Sequence, residues 1–585
     1  MVDAVGSGPT EGNLVGVRVS PSAQIKKLMV QKNVLKIIPL GGLEEIGRNM
    51  ILLEYQEKIL ILDMGLQFPT EAMPGVDYII PNVAYLKGKE KNILGVFISH
   101  GHYDHIGAIP YLIGEIGNPP IFATSLTKGI IIARQKEFQK APHLNVTQIK
   151  RKDEIKLPPF TIYSFPQTHN IPDGVGFFIK TPVGNVIYTG DFKFDHTPVG
   201  DHPSDIPYLS KLASKGVLVL MSDSTNAEVP GHSLSEKEIQ ENLEIIFEKS
   251  QGRIIAATFA SLLSRIQELI NLAKKFGRKV AIEGRAMRNY VEIAIKLGFI
   301  QIDPQDLIMP QDVRKFPDKE ILIICTGSQG EDDAVLMRLA HKEHRFLSIK
   351  RGDTIILSSS IIPGNERAVQ ELKDLLSWQG AKIYHNQMMD IHASGHAQEE
   401  ELKTMINITR PKFFVPVHGT HYMLELHKGI AMEMGIPEEN IIVGENGRVI
   451  EVTKNKILLS KEKVPAGYVM VDGLGIGDVG EIVLRDRQAM AKDGMFVIVL
   501  VVDSVTGKVK QSPDIISRGF VYLRNSQTLL RQTRERAIRI VEKITQAGKP
   551  VNWLFVKNKL KEGLGEFLFE KTRRRPMVLP VVIEV

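Results

Sequence analysis

Cysteine is almost absent: Cys325 is the single one in 585 residues. No intrachain disulfide can form, and a chain this long buries a large core without one. That absence fits a reducing compartment, and the expectation is a cytoplasmic protein. Long apolar runs are missing too. The longest, Met495 to Val502 (MFVIVLVV), falls short of the ~20 residues that span a bilayer and reads as a buried strand. No continuous apolar stretch occupies the first thirty residues, which argues against a secretory signal there. A strong charge of one sign is also missing. The 73 Lys and Arg and 67 Asp and Glu leave a net charge of +6. That permits a polyanionic partner without demanding one. Glycine (49) and proline (31) are at ordinary usage, which removes collagen-like and low-complexity readings. There is no internal repeat and no heptad seam.

What is present reads as α/β in more than one domain. Residues 1–32, rich in Gly, Ser and Val, are expected to be a flexible extension. From Val34, β-rich runs alternate with turns (VLKIIPLGG, NMILLEY, KILILDMG, ILGVFISH) and read as strands of a mostly buried sheet. IGAIPYLIGEIG reads as a helix. A second strand block follows: FTIYSFPQ, VGFFIKTP, GNVIYTGDF, LVLMSDS. The texture changes at residue 227. Short apolar strands then alternate with amphipathic helices, the βαβ rhythm of a parallel sheet covered on both faces. The first texture returns near KFFVPVHG. The expected division is 33–226 and 391–453 as two parts of one domain, 227–390 as an inserted domain, 454–466 as a Lys- and Glu-rich linker, and 467–585 as a small α/β domain. That last domain is expected to hold a hairpin at Thr506-Gly507, one long helix from Gln527 to Ala547 and a final strand.

The strongest local signal is SHGHYDHIG, Ser99 to Gly107. His100, His102, Asp104 and His105 crowd one loop after a strand. Imidazole and carboxylate together suit zinc or manganese rather than calcium. The spacing allows two ions, His100 and His102 on one, Asp104 and His105 on the other. Alone, a single histidine of this kind is more often a satisfied polar side chain than a ligand. Further candidates end later β runs: His169 in PQTHNIPDG, Asp191 in VIYTGDF and His418 in FFVPVHGTH. A lone Asp at a strand end is usually a turn former, but in this company Asp191 is placed to bridge two metals.

These motifs resemble the metallo-β-lactamase fold, an αββα sandwich with its metals at one edge of the two sheets. ILDMG, with Asp63, is similar to the first motif of that family, where the carboxylate supports the site without ligating. The long insertion between Asp191 and His418 resembles the β-CASP subfamily, whose members cut nucleic acid. SDSTN (Asp223), HASGH (His396) and VHG (His418), with TGSQGE, PGNE and the ending RRPMVLPVVIEV, resemble the bacterial ribonuclease J family. The resemblance implies two zinc ions per chain, with manganese or magnesium as alternatives. It also implies 5′→3′ exonucleolytic cleavage of single-stranded RNA from 5′-monophosphate ends together with internal cleavage, in RNA maturation and mRNA decay. Further expectations are a homodimer or larger assembly, other RNA-processing proteins as partners, and no membrane.

Roles follow from the chemistry. Asp104 is placed to take the nucleophile's proton and His396, the residue that matches the family's catalytic His, to protonate the leaving 3′-oxygen; Asp223 matches the family's acidic motif and is carried over as catalytic on that resemblance. His392, Ala393, Ser394, Gly395 and His396 form a polar loop that can grip a phosphate through N–H groups. Ser261, in the FAS turn, is expected to approach it from the inserted domain. The chain departs from its relatives at Tyr103, Asn170, Leu262 and Ser264; the last two put the side-chain contacts of the FAS segment in question. The basic helix around Arg531, Arg534, Arg536 and Arg539 reads first as solvated surface, and the KTRRRP run, Lys571 to Pro576, as a stronger but unspecific basic patch. Cys325 reads as a core thiol, and TGSQGE as either a phosphate-binding helix start or a plain turn. The competing functions are a DNA nuclease, a small-molecule metallohydrolase, which would not need an inserted domain, and a degenerate RNA-binding protein, which would not need an intact ligand set.

Overall fold

The computed structural model describes residues 33–362, 364–473, 475–521, 526–545 and 551–585. The extension expected over 1–32 lies outside them. Two compact units result. One runs through Leu66 and from Pro81 to Gly467; the other joins Gln67–Ile80 to Tyr468–Val585.

Two sheets face each other in the first unit. The larger has eight strands, in the order Ile457–Lys463, Arg448–Val452, Leu35–Gly41, Met50–Tyr55, Lys58–Leu62, Ile93–Phe97, Ile121–Ala123, Val146–Gln148. The smaller has six: Phe413–Val417, Val219–Asp223, Asn185–Tyr188, Val175–Lys180, Phe160–Pro166, Glu154–Leu157. Side chains alternate across the smaller sheet, as the two-residue period of a strand requires. Phe177, Val186, Val219 and Phe413 enter the core between the sheets. Their neighbours Phe178, Ile187, Leu220 and Phe414 enter a second core under the helices Ile206–Ala213, Glu399–Thr409 and His421–Glu433. Both faces are buried, which is why these strands read as near-continuous apolar runs.

The inserted segment forms a separate all-parallel sheet, in the order Leu307–Ile308, Lys279–Glu283, Ile321–Cys325, Ile254–Ala257, Thr354–Leu357, Lys382–His385. Cys325 is buried in its core, as expected. TGSQGE is a turn and not a helix start: the next helix begins only at Val335, and Gln329 is spent on Ser359 and Ser360.

Three local expectations are corrected. The stretch expected as a linker carries the strand Ile457–Lys463, antiparallel to Arg448–Val452. Its charges read as linker because it is an edge strand whose last three residues, Lys461, Glu462 and Lys463, are exposed. IGAIPYLIGEIG is helical only at Ile106, the end of Tyr103–Ile106, and over Ile109–Leu112, since Gly107, Gly114 and Gly117 interrupt it. In the second unit Met495–Val502 is buried on one face only, at Phe496, Ile498, Leu500 and Val502. It lies between Asp514–Arg518 and Met577–Glu584. Two helices cover that face where one was expected, Gln527–Ile544 and Trp553–Thr572. The second contributes Val556, Leu560, Leu564 and Leu568 at a four-residue spacing, one stripe of a helix.

Candidate metal centre

Asp63 organises the centre from beneath. It ends Lys58–Leu62 in a left-handed conformation (φ 60°), a strained state for a non-glycine residue. The bend aims its carboxylate at the next strand's end. Oδ1 accepts the Ser99 N–H at 2.7 Å. Oδ2 accepts the Ser99 hydroxyl at 3.0 Å and the Tyr188 hydroxyl at 2.7 Å, and lies 2.8 Å from His105 Nδ1. Asp63 keeps a proton on His105 Nδ1, so Nε2 is the nitrogen that faces the centre and would ligate a metal once its own proton is displaced. The close approach of ILDMG to the metal loop is possible only because Gly65 has no side chain: a Cβ there would lie 1.5 Å from the Asp104 carbonyl oxygen.

All seven residues expected as ligands converge on one pocket, in two sets. His100 Nε2 is 3.0 Å and His169 Nε2 3.2 Å from His102 Nδ1. Asp191 Oδ2 closes this set at 3.7 Å from His100 and 3.8 Å from His169. In the second set, His105 Nε2 and His418 Nε2 each lie 3.4 Å from Asp104 Oδ2, and Asp191 Oδ2 is 3.2 Å from His105. A metal held at about 2.0–2.2 Å by a tetrahedron of N and O ligands sets them roughly 3.3–3.6 Å apart. The second set is close to that spacing, at 3.2–3.4 Å; the first is more uneven, from 3.0 to 3.8 Å, with Asp191 Oδ2 at its far edge. His418 Nε2 is buried with no hydrogen-bond partner, a cost that a Lewis acid would remove. The donor set fits a metal.

The two sets differ in charge. Burial pushes His100 and His169 well below the ordinary imidazole value and His102 down to about 4, so these three stand as neutral imidazoles, the form that a metal would need. Burial also works against charge on His105 and His418, but Asp191, reinforced by Asp104, outweighs it and holds both well above the ordinary value. In turn, burial tends to raise Asp104 and Asp191, and the neighbouring histidines hold both well below the carboxylate range.

His396 and Asp223 stand beside the centre. His396 Nδ1 meets Asp223 Oδ2 at 2.8 Å, and Asp223 Oδ1 is fixed by the N–H and hydroxyl of Thr225 at 3.0 and 2.8 Å. The imidazole is 20% exposed, so Nε2 is the nitrogen open to a substrate. His396 Nδ1 lies 4.0 Å from Asp191 Oδ2. His396, Asp223, Asp191 and His418 also form a compact donor group of their own.

The HASGH loop leans on the metal centre. Gly395 O lies 2.5 Å from His169 Nδ1, and a Cβ on Gly395 would meet His169 Cε1 at 2.5 Å. Within the loop, the N–H groups of His392 and His396 are already spent on Asn386 and Ser394. Those of Ala393, Ser394 and Gly395 meet no protein acceptor among the described residues. Ser394 Oγ accepts from Asn226 at 2.7 Å, which leaves its hydroxyl hydrogen to give. Ser261 sits half-buried in the turn after Ile254–Ala257; Phe259, two residues earlier, lies 6.4 Å ring-to-ring from His392.

Two supports carried no signal in the sequence. Asn49 donates to the Asp104 carbonyl at 3.1 Å and lies 3.2 Å from His105 Nε2. Arg265, fully buried on Leu263–Lys275, pairs with Glu268 and Glu236 at 2.6 and 2.7 Å and donates to the Ile391 carbonyl just before the loop. Tyr103 is no ligand. It stacks under Arg134 at 4.3 Å and lies 6.3 Å from Tyr290 of the inserted domain.

Residues 44–246 match the model of the metallo-beta-lactamase superfamily. Residues 251–376 match the ribonuclease J beta-CASP domain, and residues 482–585 the ribonuclease J C-terminal domain. Residues 381–443 match a Zn-dependent metallo-hydrolase RNA specificity domain. Ribonuclease J2 of Bacillus subtilis is 39% identical over 559 residues, 95% of this chain and all of the relative. The chain belongs to the ribonuclease J family. Ribonuclease J 1 of Streptococcus pyogenes is 40% identical over 95% of this chain and 99% of its own length. Ribonuclease J of Thermus thermophilus is 40% identical over 94% and 95%. A solved structure from Enterococcus faecalis, of unknown function, shares the fold over 72% of this chain and all of its own, at TM-score 0.53 and 17% identity. The fold is the metallo-β-lactamase sandwich with a β-CASP insertion and a C-terminal domain. Among the described residues no helix is long and apolar enough to cross a membrane.

Proposed function

We propose that this member of the ribonuclease J family is a metal-dependent ribonuclease of the cytoplasm. It degrades single-stranded RNA 5′→3′ from 5′-monophosphate ends and also cuts internally. The observation that carries the reading is the group His100, His102 and His169 beside the group Asp104, His105, Asp191 and His418, with Asp191 3.7–3.8 Å from the first group and the partly exposed His396, held by the buried Asp223, next to them. His169 ties the HASGH loop to the same centre, so a 5′-phosphate in that loop sits at a fixed distance from the reacting bond.

The residues that would hold the metals are His100, His102, His169 and Asp191 for one ion, and Asp104, His105, His418 and Asp191 for the other. Two zinc ions best suit these ligands; when bound they supply Lewis acidity and acidify water. Asp104, whose side chain is 30% exposed, accepts a proton from the attacking water as its oxygen bonds to phosphorus. His396, held by Asp223, gives the proton from Nε2 to the 3′-oxygen as the P–O3′ bond breaks. The free N–H groups of Ala393, Ser394 and Gly395 and the Ser394 hydroxyl hold the terminal phosphate. Self-association fits the second unit, whose sheet leaves Ile516, Leu579, Val581 and Ile583 exposed.

The test is a paired time course on one transcript carrying a 5′-monophosphate or a 5′-triphosphate. The monophosphate form is expected to yield mononucleotides from its end, and the triphosphate form internal fragments only. Equal rates and products for the two would overturn the end-recognition reading.

A further inference from the structure

The parallel sheet of the inserted domain holds a cavity of about 260 Å³ that the chemistry above does not use. It lies past the carboxyl ends of Ile321–Cys325, Thr354–Leu357 and Lys382–His385, the edge at which open α/β sheets bind ligands. Ser328 of the TGSQGE turn, Ser359, Ser360, Lys373, His385 and Asn386 line it. No carboxylate is among the lining residues. Lys373, half-buried on Glu366–Trp378, makes no ion pair among the described residues.

Several of these groups are oriented as donors. Asn386 Oδ1 is committed to the His392 N–H at 3.2 Å, which turns the amide NH2 away from it. Ser359 Oγ accepts from Gln329 at 2.9 Å and keeps its hydrogen to give. Burial, and then the charge of Lys373, lower His385 from its ordinary value, so a cation and an imidazole N–H share one small space. Leu357, Ile361 and Val369 supply an apolar wall. The volume exceeds that of a bare phosphate and leaves room for a sugar.

We propose that this cavity is a second phosphate site, separate from the HASGH loop, that takes the phosphate of a nucleotide. The source is either a phosphodiester of the bound strand or a free nucleoside 5′-monophosphate. The assignment rests on the ribonuclease reading. Asn386 joins the site to the first residue of the HASGH loop, so occupancy here is felt at the phosphate grip.

The test uses the full chain stripped of metal by chelator, so that nothing is cut. Adenosine 5′-monophosphate is titrated calorimetrically, and the affinity of a long 5′-hydroxyl RNA is measured by gel shift. Two variants are compared with the parent. Lys373→Gln removes the charge at little cost to the helix. Ser360→Asp, at an exposed position, places a carboxylate at the mouth. A strand phosphate predicts that RNA binding weakens in both by roughly tenfold to a hundredfold, the worth of a hydrogen bond to a charged group, with mononucleotide binding unchanged. A free nucleotide predicts that one mononucleotide binding event disappears while RNA affinity is kept. Parental behaviour of both variants in both assays overturns the site. A protein that binds through this cavity but cuts no RNA when metal is restored would instead retire the ribonuclease reading.

Discussion

Replacing Asp63 by Asn should disable one of the two ligand sets without touching a ligand. The carboxylate accepts from four donors, three of them on Oδ2. An amide at that position presents two hydrogens to those three donors. The Ser99 and Tyr188 hydroxyls can rotate and accept. His105 can accept only by moving its proton to Nε2, the atom aimed at the metal. Flipping the amide instead sets its hydrogens against the Ser99 N–H. The outcome is a protonated ligand nitrogen in the Asp104–His105–His418 set. Loss of a group that orients a ligating histidine costs roughly 10–100-fold in metal affinity. Each lost hydrogen bond to the carboxylate adds ~1.5–3 kcal/mol of destabilisation. The assay is chelator competition with metal analysis, beside a denaturation midpoint. Tyr188→Phe is the control: it removes one donor but leaves the His105 tautomer alone, and should lose stability while keeping metal. An Asp63→Asn protein that folds and binds metal as the parent does would refute the reasoning.

Three further outcomes are expected. His396→Ala should retain metal while cleavage falls by roughly 10²–10⁴-fold, the contribution of a positioned acid–base group; loss of an ion in that variant would make His396 a ligand. Arg265→Met should lower unfolding stability by ~3–5 kcal/mol, because Glu236 and Glu268 are left buried without their cation; denaturant titration reads this, and a change within error would contradict it. His427 is fully buried against Ser224, and burial pushes it down to about 3. Below its ordinary value of ~6.5 the unfolded chain takes up a proton that the folded chain refuses, so stability falls with pH, by roughly 2 kcal/mol between pH 6.5 and 5. His427→Asn should flatten that slope in urea midpoints measured across the window; an unchanged slope would count against it.

The ligands were legible because they are concentrated. Four of the seven lie within six residues, His100 to His105, and His169, Asp191 and His418 each follow an apolar run that marks a strand end. The supports were not legible, because a single Asn or Tyr carries no pattern. Asn49 and Tyr188 reach the centre only through strand order, which a periodicity of two does not reveal. Arg265 lies in a segment whose helix was expected, but its burial depends on Glu236 and Ile391, distant in sequence. Pairing misled at the edges. Ile457–Lys463 looked like a linker because its second half is charged and exposed, and Trp553–Thr572 hides its stripe among Lys and Glu. The placing of Gln67–Ile80 with the second unit rests on Tyr78–Ile80 pairing with Val469–Asp472, about 390 residues away by their numbering, which no local signal announces.

The central claim is a two-metal ribonuclease centre sharing Asp191, and stepwise reconstitution tests it most directly. The chain is stripped by chelator and zinc is returned in measured equivalents, with bound metal and hydrolysis of a 5′-monophosphorylated RNA followed together. The account predicts no cleavage in the stripped protein, little with one equivalent, and full recovery with the second. It predicts as well that Asp191→Asn never recovers. Cleavage by the metal-free chain, or saturation at one equivalent with Asp191→Asn still active, would contradict it.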